Sequence, residues 1–305
     1  MQRLKIFVAI FFLLFSLAIS NFVSANSQST INSANENIQK ILSAIPEKKH
    51  YKSSKRPIMI QGAMNVEIDK MVRALKNPAA YKFSKYVYFA GTYKNYPVVI
   101  VRTEQGVSNA AASTVIGLKE FNPVVMINQG TAGGYDSEVH QNYIVIGEKT
   151  LAGSAIKINQ LAEGEGIGIT NQEMRGIYAY DHEQKNFRRY TELLADTQLF
   201  RLAKKTADEH KNFNVKVGTI STADSWNESV DYINFLHEKY GSTCEEMETH
   251  AAAQICQNIG VPFIGIRVIS NNILTAEKFD ASTAYTAQDF VLLVAEKIIE
   301  AANKK

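Results

Sequence analysis

The chain has 305 residues, room for one large α/β domain or two smaller ones. Lys and Arg number 33 against 30 Asp and Glu, a formal charge of +3, and this near-balance excludes a protein built to hold nucleic acid by charge. Cys244 and Cys256 could form a disulfide, but lying across the start of a predicted helix they read as buried thiols, in a fold whose size needs no staple.

Arg3 and Lys5 precede an apolar run over 6–19, and Val23-Ser-Ala25 has the small-residue form of a cleavage site. Residues 1–25 therefore read as a secretory signal peptide; the run is short for a retained span. The expected location is exported (periplasmic, secreted or cell-surface), with membrane contact only through that signal. Residues 26–56 are rich in Ser, Asn and Lys, with one apolar patch over 38–45, and read as a linker or peripheral helix without chemistry. The domain proper is expected over 57–305.

Ile58-Met-Ile60 is a short buried strand, Gly62 a turn, and 65–75 an amphipathic helix with Glu67 near its start. Glu67 thus lies beyond a strand end, where open α/β sheets bind ligands. Residues 86–92 and 96–102 alternate around Lys94-Asn95 and predict a hairpin. Gln105-Gly-Val-Ser-Asn109 turns into an Ala-rich helix over 110–118, with Ser108 or Asn109 as cap. A central strand over 123–128 leads to Gln129-Gly-Thr-Ala-Gly-Gly134, read as a glycine-dense loop that lets backbone N–H groups approach a ligand. It has no Gly-Lys-Ser/Thr ending and satisfies no dinucleotide fingerprint.

A strand over 142–146 precedes a polar excursion over 150–190, expected to cover a site or an interface. Asp181-His182-Glu183 has no partner at ligand spacing, so no metal is expected. A helix over 190–209 and a strand over 215–220 deliver Ser221-Thr-Ala-Asp-Ser-Trp-Asn227; its Trp226, the only tryptophan, is a stacking surface for a flat ring or a core plug. After a helix over 230–240 come Glu245, Glu246 and Glu248, opening an Ala-rich helical segment. Glu246-Met-Glu248 reads as a functional carboxylate pair, with helix capping as the plain alternative. A strand over 262–269 carrying Arg267 and a helix over 287–299 close the chain. Alternating strands and helices argue a three-layer αβα domain with a mixed central sheet.

In that order and at those intervals, Ile60-Gln-Gly-Ala-Met-Asn-Val-Glu67, Asn128-Gln-Gly-Thr-Ala-Gly-Gly134, Glu246-Met-Glu248 and Arg267-Val-Ile-Ser-Asn271 resemble the nucleoside phosphorylase/hydrolase superfamily, in particular its 5′-methylthioadenosine/S-adenosylhomocysteine nucleosidase branch. The resemblance covers about 57–302. It implies a purine nucleoside and water as reactants, no cofactor, and a homodimer. It makes Glu67 the carboxylate that activates water, and sets Met247 and Glu248 under the ribose with Glu246 beside them. Arg267 stands near the reacting centre as a catalytic group, Thr131, Ala132 and Gly133 in the glycine segment, Trp226 against the base, and Ser270 beside the catalytic position 271.

Position 271 departs from the pattern: Asn271 stands where the family has an aspartate. An asparagine cannot give up a proton, though its NH₂ can donate to N7 or O6. In the wider superfamily asparagine here goes with 6-oxopurines, so hydrolysis of inosine or guanosine, in salvage of scavenged nucleosides, is the expected activity. The alternatives are a 5′-methylthioadenosine/S-adenosylhomocysteine nucleosidase or a non-catalytic extracytoplasmic nucleoside-binding protein; Glu67 argues against the binder. A phosphorylase needs several cationic or N–H donors around phosphate, and neither Met64-Asn-Val-Glu67 nor the stretch after Arg102 supplies them.

Overall fold

The computed structural model describes residues 25–181 and 184–303. All but the last residue of the expected signal peptide, and His182 and Glu183, lie outside them. The expected architecture is present: a ten-stranded mixed sheet with helices on both faces.

Residues 25–44 form a first helix, α1. The stretch read as a linker or peripheral helix buries Ala34 and Ile38 completely. Ala34 packs with Val66 and Ala284, and Ile38 belongs to the main core. Asn35 accepts from the Asn65 amide at 2.9 Å, and Asn37 donates to Asp69 at 3.1 Å. α1 therefore braces the segment that carries Glu67.

Strand β1, Ile58–Gly62, shows how the layers form. Ile58 and Ile60 enter a core with α1, α2 (Asp69–Ala74), α4 (Thr197–Glu209) and α7 (Ala284–Ala302). Met59 points to the other face, into a core with α3 (Val107–Phe121) and α6 (Thr249–Ile259). Period-two alternation of apolar residues thus fills both faces of one strand.

β1 lies parallel between β4 (Tyr96–Arg102) and β5 (Val125–Gly134). β3 (Tyr86–Tyr93) pairs antiparallel with β4 around the expected turn, and β2 (Lys76–Phe83) forms the edge. β2 has no clear local signal, because Asn77 at φ 51° and Pro78 interrupt its alternation; proline is tolerated at an edge that needs no donor. The long excursion is organised as two small two-stranded sheets. β7 (Ile156–Ile158) pairs with β8 (Gln172–Met174), and β9 (Ile177–Asp181) with β10 (Asn186–Tyr190).

At the other end the sheet curls. β14 (Phe263–Asn272) runs parallel to β5 and antiparallel to β6 (Ile144–Ala152). β6 pairs with β12 (Val215–Thr222), β12 with β13 (Ser242–Glu246), and β13 returns to β5. β11 (Glu192–Leu194) adds an outer antiparallel edge to β6. Five strands therefore close on one another, and the ends of β5, β13 and β14 meet.

Several expected elements differ in local form. The 65–75 helix is a 3₁₀ turn, Asn65–Glu67, broken from α2 at Ile68. Gln129 Nε2 donates to the Glu67 carbonyl at 2.8 Å, taking an acceptor that a continuous helix would use. α3 starts after Gly106, not at a Ser108 or Asn109 cap, and Asp224 accepts from the Val107 amide at 2.8 Å. α4 starts only at Thr197, with Asp196 accepting from Gln198 and Leu199 amides. β5 continues through the expected glycine loop to Gly134, and Glu245 and Glu246 end a strand where a helix start was expected.

If α1 is integral to the core, Ile38→Ala should lower unfolding free energy by about 2–5 kcal/mol, as for other buried large-to-small changes. Urea denaturation checks this; a loss within 0.5 kcal/mol, roughly a surface substitution's effect, would show α1 to be dispensable.

Candidate active site

One cavity gathers strand ends distant in sequence. Ala63, Met64 and Glu67 follow β1; Thr131, Ala132 and Gly133 lie in β5; Ser225, Trp226 and Asn227 follow β12. β13 and the residues after it bring Glu245, Glu246, Met247 and Glu248, and β14 brings Ser270 and Asn271. Gln105, Tyr135 and Phe279 complete the wall. Every predicted site residue except Arg267 lines this cavity.

Glu67 is 2% exposed. One carboxylate oxygen accepts from the Ala63 and Met64 amides at 2.8 and 3.0 Å. The other accepts from the Thr131 amide at 2.8 Å and the Thr131 hydroxyl at 3.1 Å. Four donors fix the group as an acceptor aimed from a rigid turn. The glycine at 130 is required by close approach: a β-carbon there would lie 2.6 Å from Glu67 Oε1 and also against the Arg267 guanidinium.

Arg267, expected among the catalytic groups, lies beneath the cavity at 1% exposure. It pairs closely with Glu246 and stands 3.6 Å from Glu248 Oε2. Its guanidinium donates to Thr249 Oγ1 at 3.0 and 2.7 Å and to Asn128 Oδ1. A buried guanidinium is stable only when paired and hydrogen-bonded, and through these contacts Arg267 positions the carboxylates above it.

The two glutamates read as a pair have separate roles. Glu246 accepts from the Glu248 and Thr249 amides at 2.9 Å, from the Thr222 hydroxyl and from Arg267. It caps α6 and anchors the site, so for this residue the capping alternative wins. Glu248 accepts from the Gly106 amide at 2.8 Å, which leaves acceptor capacity facing the cavity. Burial, with the charge of Glu246, pushes its pKa upward against the pull of Arg267.

Ser270 Oγ stands 3.1 Å from the Ala132 carbonyl and 2.9 Å from Asn271 Oδ1, and its one proton is donated to one of these acceptors. A hydroxyl can also accept, so it supports either orientation of the Asn271 amide. Asn272, the next residue, is fully buried and donates to the Asp136 and Val139 carbonyls at 2.9 and 2.8 Å. Trp226 is 54% exposed and meets Phe279 edge-on at 5.9 Å; it forms the rim and is not a core plug.

Sequence reasoning missed the wall made by Tyr135, Ser225, Asn227 and Glu245. The Glu245 carboxylate accepts from Ser225 Oγ at 2.7 Å, from Asn227 Nδ2 at 2.8 and 2.7 Å, and from the Tyr135 hydroxyl. The available signal was Ser225 and Asn227 flanking Trp226, with an acid one residue before Glu246. Among the described lining residues are Glu67, Glu245, Glu246 and Glu248 but no lysine or arginine, a surface that repels phosphate.

Gly130→Ala tests the packing beneath the site. The added methyl should lower stability by about 1–3 kcal/mol through overpacking and reduce turnover as Glu67 shifts. Thermal unfolding with paired activity measurement checks this; an unchanged variant would refute the close approach.

The family profile described as "Phosphorylase superfamily" matches residues 57–301. A 5′-methylthioadenosine/S-adenosylhomocysteine nucleosidase of Bacillus pumilus is 28% identical over 241 residues, covering 77% of this chain and 96% of that protein. The same-named protein of a Geobacillus species is 27% identical over 247 residues, covering 79% and 98%. Among solved structures, a 5′-methylthioadenosine/S-adenosylhomocysteine nucleosidase of Neisseria meningitidis, in complex with methylthio-immucillin-A, superposes with TM-score 0.65 at 22% identity, covering 79% of this chain and 99% of its own. Futalosine hydrolase of Helicobacter pylori superposes with TM-score 0.61 at 20% identity, covering 84% and 99%. At such identities these superpositions speak for the fold.

The relatives overturn the expected preference for inosine or guanosine, because their names carry 6-aminopurine thioether nucleosides. The physical reason lies in the amide. Asn271 offers one donor and one acceptor, which together match N7 and the 6-amino group of adenine. The 6-oxopurine edge, with two acceptors, would use only the donor. The profile match across the domain, together with the cavity of opposed carboxylates, establishes that the chain belongs to the phosphorylase superfamily, as an N-glycosyl hydrolase of the nucleosidase type.

Proposed function

We propose that this chain hydrolyses the N-glycosidic bond of an adenine nucleoside with a thioether at the sugar 5′ position, 5′-methylthioadenosine or S-adenosylhomocysteine. The observation that carries the reading is that Glu67 and Glu248 share one cavity that has no cation in its described wall. The curated relatives support the substrate class, and Met64, Met247, Trp226 and Phe279 offer apolar and sulfur surface for a thioether.

In this reading Glu67 orients water and takes its proton as the oxygen bonds to C1′. Glu248 accepts from the ribose hydroxyls, and Met247 packs against the sugar. As C1′–N9 breaks, the sugar becomes cationic, and the carboxylates around it stabilise that charge. Asn271 holds the N7 and 6-amino edge, Ser270 supports the amide, and Trp226 covers the base at the rim. Arg267 acts through the carboxylates it positions.

Export and a homodimer belong to the same proposal. The apolar run over 6–19 behind Arg3 and Lys5 supports export, and exposed Ile156, Ile158 and Ile167 support a partner surface. N-terminal sequencing of the cell-envelope form should begin at Asn26, and light scattering should give twice the chain mass. A cytoplasmic form starting at Met1 refutes the first, and a monomer the second.

The central test incubates the protein with 5′-methylthioadenosine, S-adenosylhomocysteine, adenosine, inosine and futalosine, each with and without phosphate. The expected products are adenine and the free thiosugar, at a phosphate-independent rate. Glu67→Gln should lower kcat by about 10²–10⁴-fold, the range for a general base, with binding retained. Sugar 1-phosphate among the products would refute water as nucleophile, and binding without turnover would favour the receptor alternative.

A further inference from the structure

If the proposed reaction holds, one chemical task lacks a residue. The departing purine leaves with the electron pair of the C1′–N9 bond and needs a proton. Asn271 has none to give. Glu67 is occupied with the attacking water.

Register places a second group beside the base. Gly133 in β5 is paired on one side with Asn271 of β14 and on the other with Glu245 of β13. Residues in register project to the same sheet face, and neighbouring strands lie about 4.8 Å apart. A β-carbon on Gly133 would stand 3.3 Å from Asn271 Nδ2, and its three nearest neighbours would all be Asn271 amide atoms, none from Glu245. The glycine therefore leaves a gap with the amide on one wall and the carboxyl on the other, and all three residues line the cavity.

We infer that Glu245 is the acid that protonates the departing base, at the ring nitrogen N3 on the edge turned away from Asn271. The inference rests on the adenine-nucleoside reading above. The atoms balance as follows. C1′–N9 breaks with its electron pair on the purine, the water oxygen bonds to C1′, and the water proton passes to Glu67. The Glu245 proton passes to N3, giving neutral adenine as its 3H tautomer. Exchange with solvent then returns a proton to Glu245 and removes one from Glu67.

The surroundings suit an acid that is protonated before reaction. Burial beside the negative Glu246 pushes the Glu245 pKa up to about 8. The ionisable groups facing it are Tyr135, from the segment after β5, and Glu246 on its own strand. From the segment after β12 it meets only Ser225 and Asn227, which do not titrate, while Asp224 is turned to the Val107 amide. The Tyr135 and Ser225 hydroxyls can accept as well as donate, so the protonated carboxyl keeps its partners. Because the acid must carry its proton, activity should be present below the raised pKa and fall as pH rises through about 8.

Glu245→Gln keeps the shape and most hydrogen bonds and removes the proton. With 5′-methylthioadenosine, kcat should fall about 10²–10⁴-fold, as for loss of a general acid, with KM little changed and the decline above pH 8 abolished. With p-nitrophenyl β-D-ribofuranoside, whose leaving phenolate needs no proton, the variant should match the wild type. A 3-deaza analogue of the nucleoside, lacking N3, tests the wild-type protein without any substitution. It should react as slowly as the natural nucleoside does in Glu245→Gln, and the variant should lose nothing further on it. Unchanged turnover of 5′-methylthioadenosine by Glu245→Gln, or full-speed turnover of the 3-deaza analogue by the wild type, overturns the inference alone. A wild type inert on every purine nucleoside overturns the functional reading and this inference with it.

Discussion

A single buried cation holds the site together. Arg267 lies under a cavity lined by four glutamates, and without its guanidinium Glu246 and Glu248 would be adjacent negative charges out of water. An ion pair at such depth is stable only when every donor and acceptor is satisfied. Asn128 and Thr249 add acceptors for the Arg267 Nε and Nη2 groups, and Asn128 donates in turn to Gln61 at 3.1 Å. Three strands and the start of α6 thus meet on one side chain. That arrangement differs from a catalytic arginine reaching a ligand.

Close backbone approach is the second constraint. The curled end of the sheet brings β5 between β13 and β14, leaving no room for side chains at certain points. At Gly130 the Glu67 carboxylate and the Arg267 guanidinium occupy the space a methyl would take. At Gly133 the vacant space lies inside the cavity. Glycines that looked like loop punctuation are strand residues whose missing β-carbons shape a binding site.

The carboxylates then divide by environment. Glu67 is held by four donors and Glu246 is paired with Arg267, whereas burial, with the charge of Glu246, pushes Glu248 and Glu245 toward the neutral form. Carboxyl groups in such different surroundings can take different parts in one reaction. In the proposed reaction, base recognition rests on the Asn271 amide and protonation rests elsewhere.

The sequence by itself determined the layers, because alternation such as Ile58-Met-Ile60 depends only on local periodicity and burial. It also picked out part of the cavity wall, where Glu67 and Glu246-Met-Glu248 stand in motifs short enough to recognise. The integral place of α1, the edge strand β2 and the role of Glu245 were decided by tertiary structure. A Pro-containing edge strand and a polar helix carry weak local signals, and Glu245 gains meaning only when strand pairing sets it across Gly133 from Asn271. Register is a contact between segments far apart in the chain, and no local pattern encodes it.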